Sequence, residues 1–200
     1  ELSLFLCLPA TFALLISSEQ ITSALFGYGS FDYQSVKNSS DALFFFAIGL
    51  PAFALIKVFS SYIFARHNTQ TPFIYSLYSV IINVCISLYF FPDTGFIIIP
   101  IATTISSWFY AAILFNFLIK KKYFIFDSVL NFSIFKIIFA SIISSYLFYN
   151  LIYYFEDFLV YESKYKLLTM ILIVSITAVI YILISILTKA FKISDIKLKY

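Results

Sequence analysis

Two long apolar runs on either side of a short basic turn constrain this chain more than any other feature. Residues 41–64 and residues 71–91 are mostly apolar, and the turn between them carries Arg66 and His67. Each run is longer than the roughly 18 apolar residues that identify a transmembrane helix. Two such runs joined by a few polar residues predict a transmembrane helical hairpin, with Thr71 as the N-cap of its second helix and Pro72 at the first helical position.

The amino-acid composition indicates an integral membrane protein. Hydrophobic residues make up 62% of the 200 residues and charged residues 12%, whereas soluble domains carry about 25% charged residues. The net charge of +3 does not predict a nucleic-acid partner, because in a membrane protein the placement of Lys and Arg carries the information. The chain opens at Glu1 directly into an apolar run. This start predicts the C-terminal part of a longer protein.

Polar turns divide the chain into six predicted transmembrane helices. Each span has about 16 to 25 residues, or about 24 to 38 Å as an α-helix, which matches a hydrocarbon core of about 30 Å. Asp32 is placed to cap a helix that continues unbroken into the second span. The predicted fold class is therefore an all-α polytopic membrane helix bundle. Its spans are residues 2–17, 41–64, 71–91, 95–119, 134–154 and 166–187.

Basic residues gather at alternate ends of these spans. Nine cations fall on one side, whereas the other side has Lys37, Lys164 and Lys166 among seven acidic residues. By the positive-inside rule, the Arg66 turn and the C-terminus are predicted to be cytoplasmic. The loop after the triple lysine also divides the chain into a four-helix part (residues 1–122), an interfacial linker (residues 123–133) and a final helix pair with its tail (residues 134–200). The nine cations are Arg66, Lys120, Lys121, Lys122, Lys136, Lys189, Lys192, Lys197 and Lys199.

Residues typical of catalysis or metal binding are not grouped in this sequence. The single histidine, His67, lies in a turn and is interpreted as a solvated loop residue. Cys7 and Cys85 lie in different apolar spans without a CxxC pattern and are interpreted as small packing residues. We therefore predict no enzyme, no metal site and no cofactor.

A few polar residues and prolines inside the spans are candidates for a function. Lys57 lies about 10 Å from the cytoplasmic end of its helix. Either its long side chain lets the ammonium reach the membrane interface, or the ammonium faces a water-filled cavity and meets an anionic substrate group or the carbonyls of a neighbouring helix. Asn83 and Asn116 are interpreted as forming hydrogen bonds between helices, and a substrate site is the less favoured alternative. Pro51 and Pro100 predict helix bends.

Four segments of the chain resemble a known family. They are LPATFALL at residues 8–15, FGYGSF at residues 26–31, GLPAFALIKV at residues 49–58 and YIFARHNTQTP at residues 62–72. These segments are similar to the C-terminal half of the MurJ/MviN family of lipid II flippases, whose turn commonly reads Y-x-R-x-D-T-x-T-P. Asn68 stands where an aspartate is usual in that turn. The matching residues of this chain are Arg66, Thr69, Thr71 and Pro72.

The resemblance implies a fold and a transport mechanism. The fold is that of the multidrug/oligosaccharidyl-lipid/polysaccharide exporter superfamily, with two six-helix lobes around a central cavity and two extra helices. This chain would supply the last four helices of the second lobe and the extra pair. Its partners would be the N-terminal lobe, membrane lipids and the undecaprenyl-pyrophosphate-linked precursor lipid II, moved across the bacterial inner membrane by alternating access.

The resemblance also implies roles for individual residues. Lys57 and Asn83 become candidates for the cavity wall, and the turn from Arg66 to Pro72 becomes a cytoplasmic gate. The final helix pair would form a groove for the polyprenyl chain, with Ser141, Ser144 and Ser145 facing Ser175 and Thr177. Three alternatives are a polysaccharide or O-antigen flippase of the same superfamily, a membrane-embedded glycosyl or acyl transferase, and a scaffold subunit of a wall-synthesis complex.

Overall fold

The described part of the chain is helical. The structure, a computed structural model, describes residues 2–123 and 128–188. Five stretches are long and apolar enough to cross a membrane, so the predicted all-α polytopic membrane fold is confirmed. The helices are α1 (Leu2–Phe26), α2 (Tyr33–Phe64), α3 (Gln70–Thr94), α4 (Ile98–Lys120), α5 (Ser128–Tyr154), the short α6 (Glu156–Leu159) and α7 (Lys166–Leu187).

One of the five stretches contains two predicted spans. Gln70–Lys120 is a single 51-residue stretch that holds α3, a 3₁₀ turn at Gly95–Ile97 and α4, and the two long helices pack against each other. Gly95 ends α3 with a φ of 66° and a ψ of −151°, a conformation essentially confined to glycine. The sequence placed this turn at residues 91–95 and was wrong by several residues. The count of six spans stays a prediction.

The boundary before the last long helices also differs from the prediction. α5 begins at Ser128, so residues 128–133 belong to a helix, and the interfacial position of the linker stays a prediction. No glycine or proline occurs in these residues to end a helix. Residues 124–127 of the predicted linker and the lysines of the predicted C-terminal tail lie outside the described residues. α7 has the predicted bounds.

The predicted start of α2 is confirmed. Asp32 Oδ1 accepts a hydrogen bond from the backbone N–H of Ser35 at 2.8 Å, which is the geometry of a helix N-cap. Hydrogen bonds from the Ser35 side chain and backbone lower the pKa of the Asp32 carboxyl below its usual value. From there α2 continues for 32 residues, or about 48 Å, which is longer than a hydrocarbon core of about 30 Å.

The chain forms two compact units. The first contains residues 1–40 and 127–200, and the second contains residues 41–126. In the first unit, α1 packs against α5 and α7 around two apolar clusters. In the second unit, Ile63 of α2 is buried with Leu114 and Leu118 of α4. The predicted division into residues 1–122, 123–133 and 134–200 describes the lobes of a whole transporter, whereas these two units are defined by contacts within the chain. The predicted division therefore stays a prediction.

A break in α1 occurs where the first span was predicted to end. Ser17 has a φ of −134° and a ψ of 33°, and the helix then resumes as far as Phe26. The Ser17 hydroxyl donates to the Ala13 carbonyl at 2.9 Å. Back-bonding of this kind is often found where helices bend. The predicted end at residue 17 is therefore a kink within a longer helix.

A buried lysine joins the two turns of the first unit. Lys166, at the start of α7, is 2% exposed, and its Nζ donates to the carbonyls of Gly27 at 2.6 Å and Tyr161 at 2.7 Å. The same ammonium lies 4.4 Å from the ring centroid of Tyr28 and 4.5 Å from that of Tyr161. A buried ammonium needs such partners to offset its lost hydration. The sequence interpretation counted Lys166 only as a topology marker and missed this role.

We expect Lys166→Met to destabilise the protein. The substitution leaves the buried Gly27 carbonyl and the partly buried Tyr161 carbonyl without this donor, which costs about 1–3 kcal/mol. Thermal unfolding of the intact protein in detergent would show this as a lowered apparent Tm. Lys164→Met is the matched control because Lys164 is exposed. Equal unfolding temperatures for the two variants would contradict a structural role for the Lys166 ammonium.

Candidate functional site

An apolar groove lies in the first unit, between α1, α5 and α7. Its cavity has a volume of about 310 Å³. Apolar and small side chains form most of its wall, and four hydroxyl-bearing residues complete it. The wall residues are Phe5, Leu6, Pro9, Ala10, Ala13, Ser144, Ser145, Phe148, Val174, Thr177, Ala178, Tyr181 and Ile182.

The hydroxyl groups of this groove are bonded to the backbone. Ser145 donates to the Ser141 carbonyl at 2.6 Å, Thr177 donates to the Ile173 carbonyl at 2.9 Å, and Tyr181 donates to the Phe5 carbonyl at 2.7 Å. Their donor capacity is therefore used within the protein. The groove presents mainly hydrocarbon to an occupant, which suits an apolar chain better than a polar headgroup.

Three of the five hydroxyl residues proposed for this groove line it. Ser144, Ser145 and Thr177 are part of its wall, whereas Ser141 is fully buried. Ser175 is exposed and donates to the Ile171 carbonyl at 2.7 Å. Its predicted position facing α5 was wrong, because residues two apart on a helix point to nearly opposite sides.

The turn after α2 holds Arg66 against two aromatic rings. The guanidinium carbon of Arg66 lies 4.1 Å from the ring centroid of Tyr123 and 4.9 Å from that of Tyr62. One guanidinium nitrogen donates to the Tyr62 hydroxyl at 2.6 Å. The Tyr62 hydroxyl in turn donates to the Tyr123 carbonyl at 3.3 Å. Arg66 is exposed, but its orientation is fixed by these contacts.

Asn68 caps the next helix in place of the predicted Thr71. α3 begins at Gln70, and Asn68 Oδ1 accepts the backbone N–H of Thr71 at 3.1 Å. Thr69 occupies the N-cap position without a side-chain capping bond. Pro72 is buried, and its carbonyl accepts the Tyr110 hydroxyl at 2.8 Å. An amide oxygen and a carboxylate oxygen can make the same capping bond, so asparagine preserves the cap that an aspartate would provide.

A polar seam joins α3 to α4. Asn83 Nδ2 donates to Thr103 Oγ1 at 3.0 Å and to Ser106 Oγ at 3.4 Å, which is the interhelical bond that the sequence favoured. The Ser79 hydroxyl donates to the Ser106 carbonyl at 2.8 Å. Asn116 is exposed on α4 and does not take part in this seam. A cavity role for Asn83 stays a prediction.

Lys57 lies on an exposed face of α2. Among the described residues, its side chain has no hydrogen bond or ion pair. The ammonium of Lys57 was predicted to lie either at the membrane interface or in a cavity. Both alternatives stay predictions. Within the same described ranges, no group of three or more His, Cys, Asp or Glu residues is placed to hold a metal ion.

The two prolines predicted to bend helices occupy different environments. Pro51 lies inside α2, and a bend there stays a prediction. Pro100 lies in the first turn of α4, which begins at Ile98. The predicted span began at residue 95 and put this proline deeper in the helix. In a first turn, the missing N–H of proline has no carbonyl to lose, so a bend is not required at Pro100.

Side chains of α4 reach the backbone of α2 just before Pro51. Thr104 donates to the Phe45 carbonyl at 2.7 Å and Trp108 donates to the Ile48 carbonyl at 3.1 Å. A Cβ atom at Gly49 would lie 2.9 Å from Thr104 Oγ1, so glycine permits this approach. The sequence interpretation missed both contacts. The sequence signal for these contacts was Gly49, two residues before Pro51, in an otherwise continuous apolar helix.

The family model described as "Lipid II flippase MurJ" matches residues 1–169 of this chain. The chain belongs to the MurJ lipid II flippase family. A relative named "Probable lipid II flippase MurJ" from Rickettsia prowazekii (strain Madrid E) is 35% identical over 121 residues, which cover 60% of this chain and 24% of the relative. A protein of the same name from Rhizobium meliloti (strain 1021) is 40% identical over 121 residues, which cover 60% and 23%.

A solved structure has the same fold. "Lipid II flippase MurJ, inward closed conformation" superposes with a TM-score of 0.73 at 23% sequence identity. The match covers 93% of this chain and 37% of the solved chain. In the sequence matches, this chain spans about a quarter of the length of the curated MurJ relatives. It adopts the fold of the corresponding part of the solved chain.

We expect Asn83→Leu to weaken the packing of α3 on α4. Hydrogen bonds between transmembrane helices contribute about 0.6–2 kcal/mol, and leucine cannot make those that Asn83 makes. Denaturation of the intact protein by SDS would show the loss. Asn116→Leu makes the same exchange at an exposed position and should have little effect. Equal stability of the two variants would contradict a structural contribution from the Asn83 amide.

Proposed function

We propose that the intact protein carrying this chain is a lipid II flippase of the bacterial inner membrane. It would move the undecaprenyl-pyrophosphate-linked precursor by alternating access, without making or breaking a covalent bond. The observation that carries this proposal is the match of residues 1–169 to the MurJ family, supported by the shared fold. The proposal favours lipid II over the polysaccharide and O-antigen carriers of the wider superfamily.

Within such a transporter, this chain would supply the last four helices of the second lobe and the final helix pair. The N-terminal lobe, which holds the headgroup-binding arginines in the family, would be its partner across the central cavity. Lys57 and Asn83 would belong to the cavity wall, and Pro51 would permit bending of α2. The turn formed by Arg66, Thr69, Thr71 and Pro72 would be the cytoplasmic gate, with the C-terminus on the same side.

The apolar groove is the best candidate for the site of the prenyl chain. Its volume of about 310 Å³ would take part of a long isoprenoid, leaving the rest among the membrane lipids. Its hydroxyl groups are bonded to backbone carbonyls, so an apolar chain would not displace any hydrogen bond. A headgroup with a pyrophosphate would find no cation in the wall of this groove.

Complementation tests the proposed function. The full-length protein should restore growth when the resident MurJ of a bacterium is depleted, and it should expose lipid II on the outer face of the membrane. An extracellular lipid II-cleaving enzyme can measure that exposure. Immunoblotting of membrane fractions is the control for expression. Full-length protein that reaches the membrane but neither restores growth nor exposes lipid II would refute the proposal.

We expect Ala178→Phe to reduce lipid II export. Ala178 lines the groove, and a phenyl ring there would occupy much of the space proposed for the prenyl chain. Val179→Phe adds the same ring at an exposed neighbouring position of α7 outside the groove wall. Export of lipid II, normalised to membrane protein level, should fall for the first variant only. Equal export by both variants would exclude the groove as a prenyl site.

A further inference from the structure

Five exposed basic residues lie at the ends of α2 and α4 in the second unit. The two helix ends meet there, because Ile63 packs with Leu118 and the Tyr62 hydroxyl bonds to the Tyr123 carbonyl. Among the residues that the structure describes, no carboxylate forms an ion pair with them. We call this group the Arg66 surface. Its members are Arg66, His67, Lys120, Lys121 and Lys122.

The guanidinium of Arg66 is held in place by aromatic rings and one hydrogen bond. Aromatic rings cover it at 4.1 Å and 4.9 Å, and one of its nitrogens donates to the Tyr62 hydroxyl. A guanidinium has five N–H donors in its plane, so most of them remain for another partner. Contact with rings orients the planar fork before binding, which reduces the entropy lost when a phosphate is held by two bonds.

The backbone after α4 places Tyr123 beside Arg66. Lys122 has a φ of 56°, which is uncommon for a residue with a side chain and indicates a constrained turn. The N–H groups of Lys121, Lys122 and Tyr123 bond to the carbonyls of Phe117, Ile119 and Leu118. Because the backbone itself satisfies these carbonyls, the lysine ammonium groups are not needed to cap the helix.

Apolar side chains adjoin the Arg66 surface and are also exposed. Phe64 is 48% exposed and Ile119 is 41% exposed. Cations next to exposed hydrocarbon are typical of the boundary between lipid headgroups and acyl chains. A soluble phosphate would contact the cations alone, whereas a phospholipid would contact both parts of this surface.

We propose that the Arg66 surface binds the phosphodiester headgroup of an anionic phospholipid in the adjoining leaflet. Arg66 holds the phosphate with its planar fork, and the neighbouring lysines add charge. Tyr62 and Tyr123 orient the guanidinium and are positioning residues. This inference goes beyond the flippase proposal and does not depend on it, since the ligand is a resident membrane lipid and not the transported substrate.

Lipid binding by the intact protein in nanodiscs tests the proposal. The probe is fluorescent phosphatidylglycerol, titrated into phosphatidylcholine nanodiscs at fixed ionic strength. Arg66→Gln should weaken binding by about fivefold, because one basic residue at an anionic surface contributes about that factor. Lys164→Gln is the matched control, since Lys164 is exposed and the positive-inside count assigns it to the other membrane face.

Two further variants separate a preorganised site from plain surface charge. Arg66→Lys keeps the positive charge but replaces the planar guanidinium with an ammonium. Tyr123→Leu keeps every basic residue but removes the aromatic ring nearest to Arg66. Each should weaken phosphatidylglycerol binding by about two- to fivefold. Because Tyr123 also packs against the apolar cluster around Ile63, an unchanged melting temperature is expected for Arg66→Lys only. If both bind like the unaltered protein, or if Arg66→Gln equals Lys164→Gln, the proposal is wrong. Full displacement of the probe by millimolar glycerol phosphate would likewise overturn the assignment to a phospholipid.

Discussion

Polar groups inside an apolar chain must find partners within the protein, and this requirement shapes most of the structure. In hydrocarbon, water cannot satisfy a hydroxyl, an amide or an ammonium. Serine and threonine hydroxyls therefore bond to carbonyls one turn back along their own helix, as Thr11 and Ser185 do. Ser23, Ser60 and Ser87 are the buried exceptions among the described residues.

The remaining polar groups join separate segments. Lys166 links the turn after α1 to the turn before α7, Asn83 links α3 to α4, and Thr104 links α4 to α2. Each bond satisfies a group that would otherwise be costly to bury, and each also fixes a register between helices that apolar packing alone would leave loosely specified. Small residues at these points, Gly27 and Gly49, permit the close approach.

Two surfaces of the chain, one in each compact unit, differ in chemistry. In the groove of the first unit, the hydroxyl groups donate to backbone carbonyls, so the wall presents mainly hydrocarbon. In the turn of the second unit, the Arg66 guanidinium is exposed and lies against the rings of Tyr62 and Tyr123.

The sequence by itself determined the class of fold, most helix positions and the family, because apolar runs, turn residues and the Arg66–Pro72 motif are local signals. The bounds of α7 and the Asp32 cap followed from such signals. The tertiary structure decided which polar residue meets which partner: Lys166 became a buried link, Asn116 and Ser175 lay exposed, and Arg66 met Tyr123. These outcomes depend on residues far apart in the chain, whose proximity is set by helix packing and leaves no local pattern in the sequence.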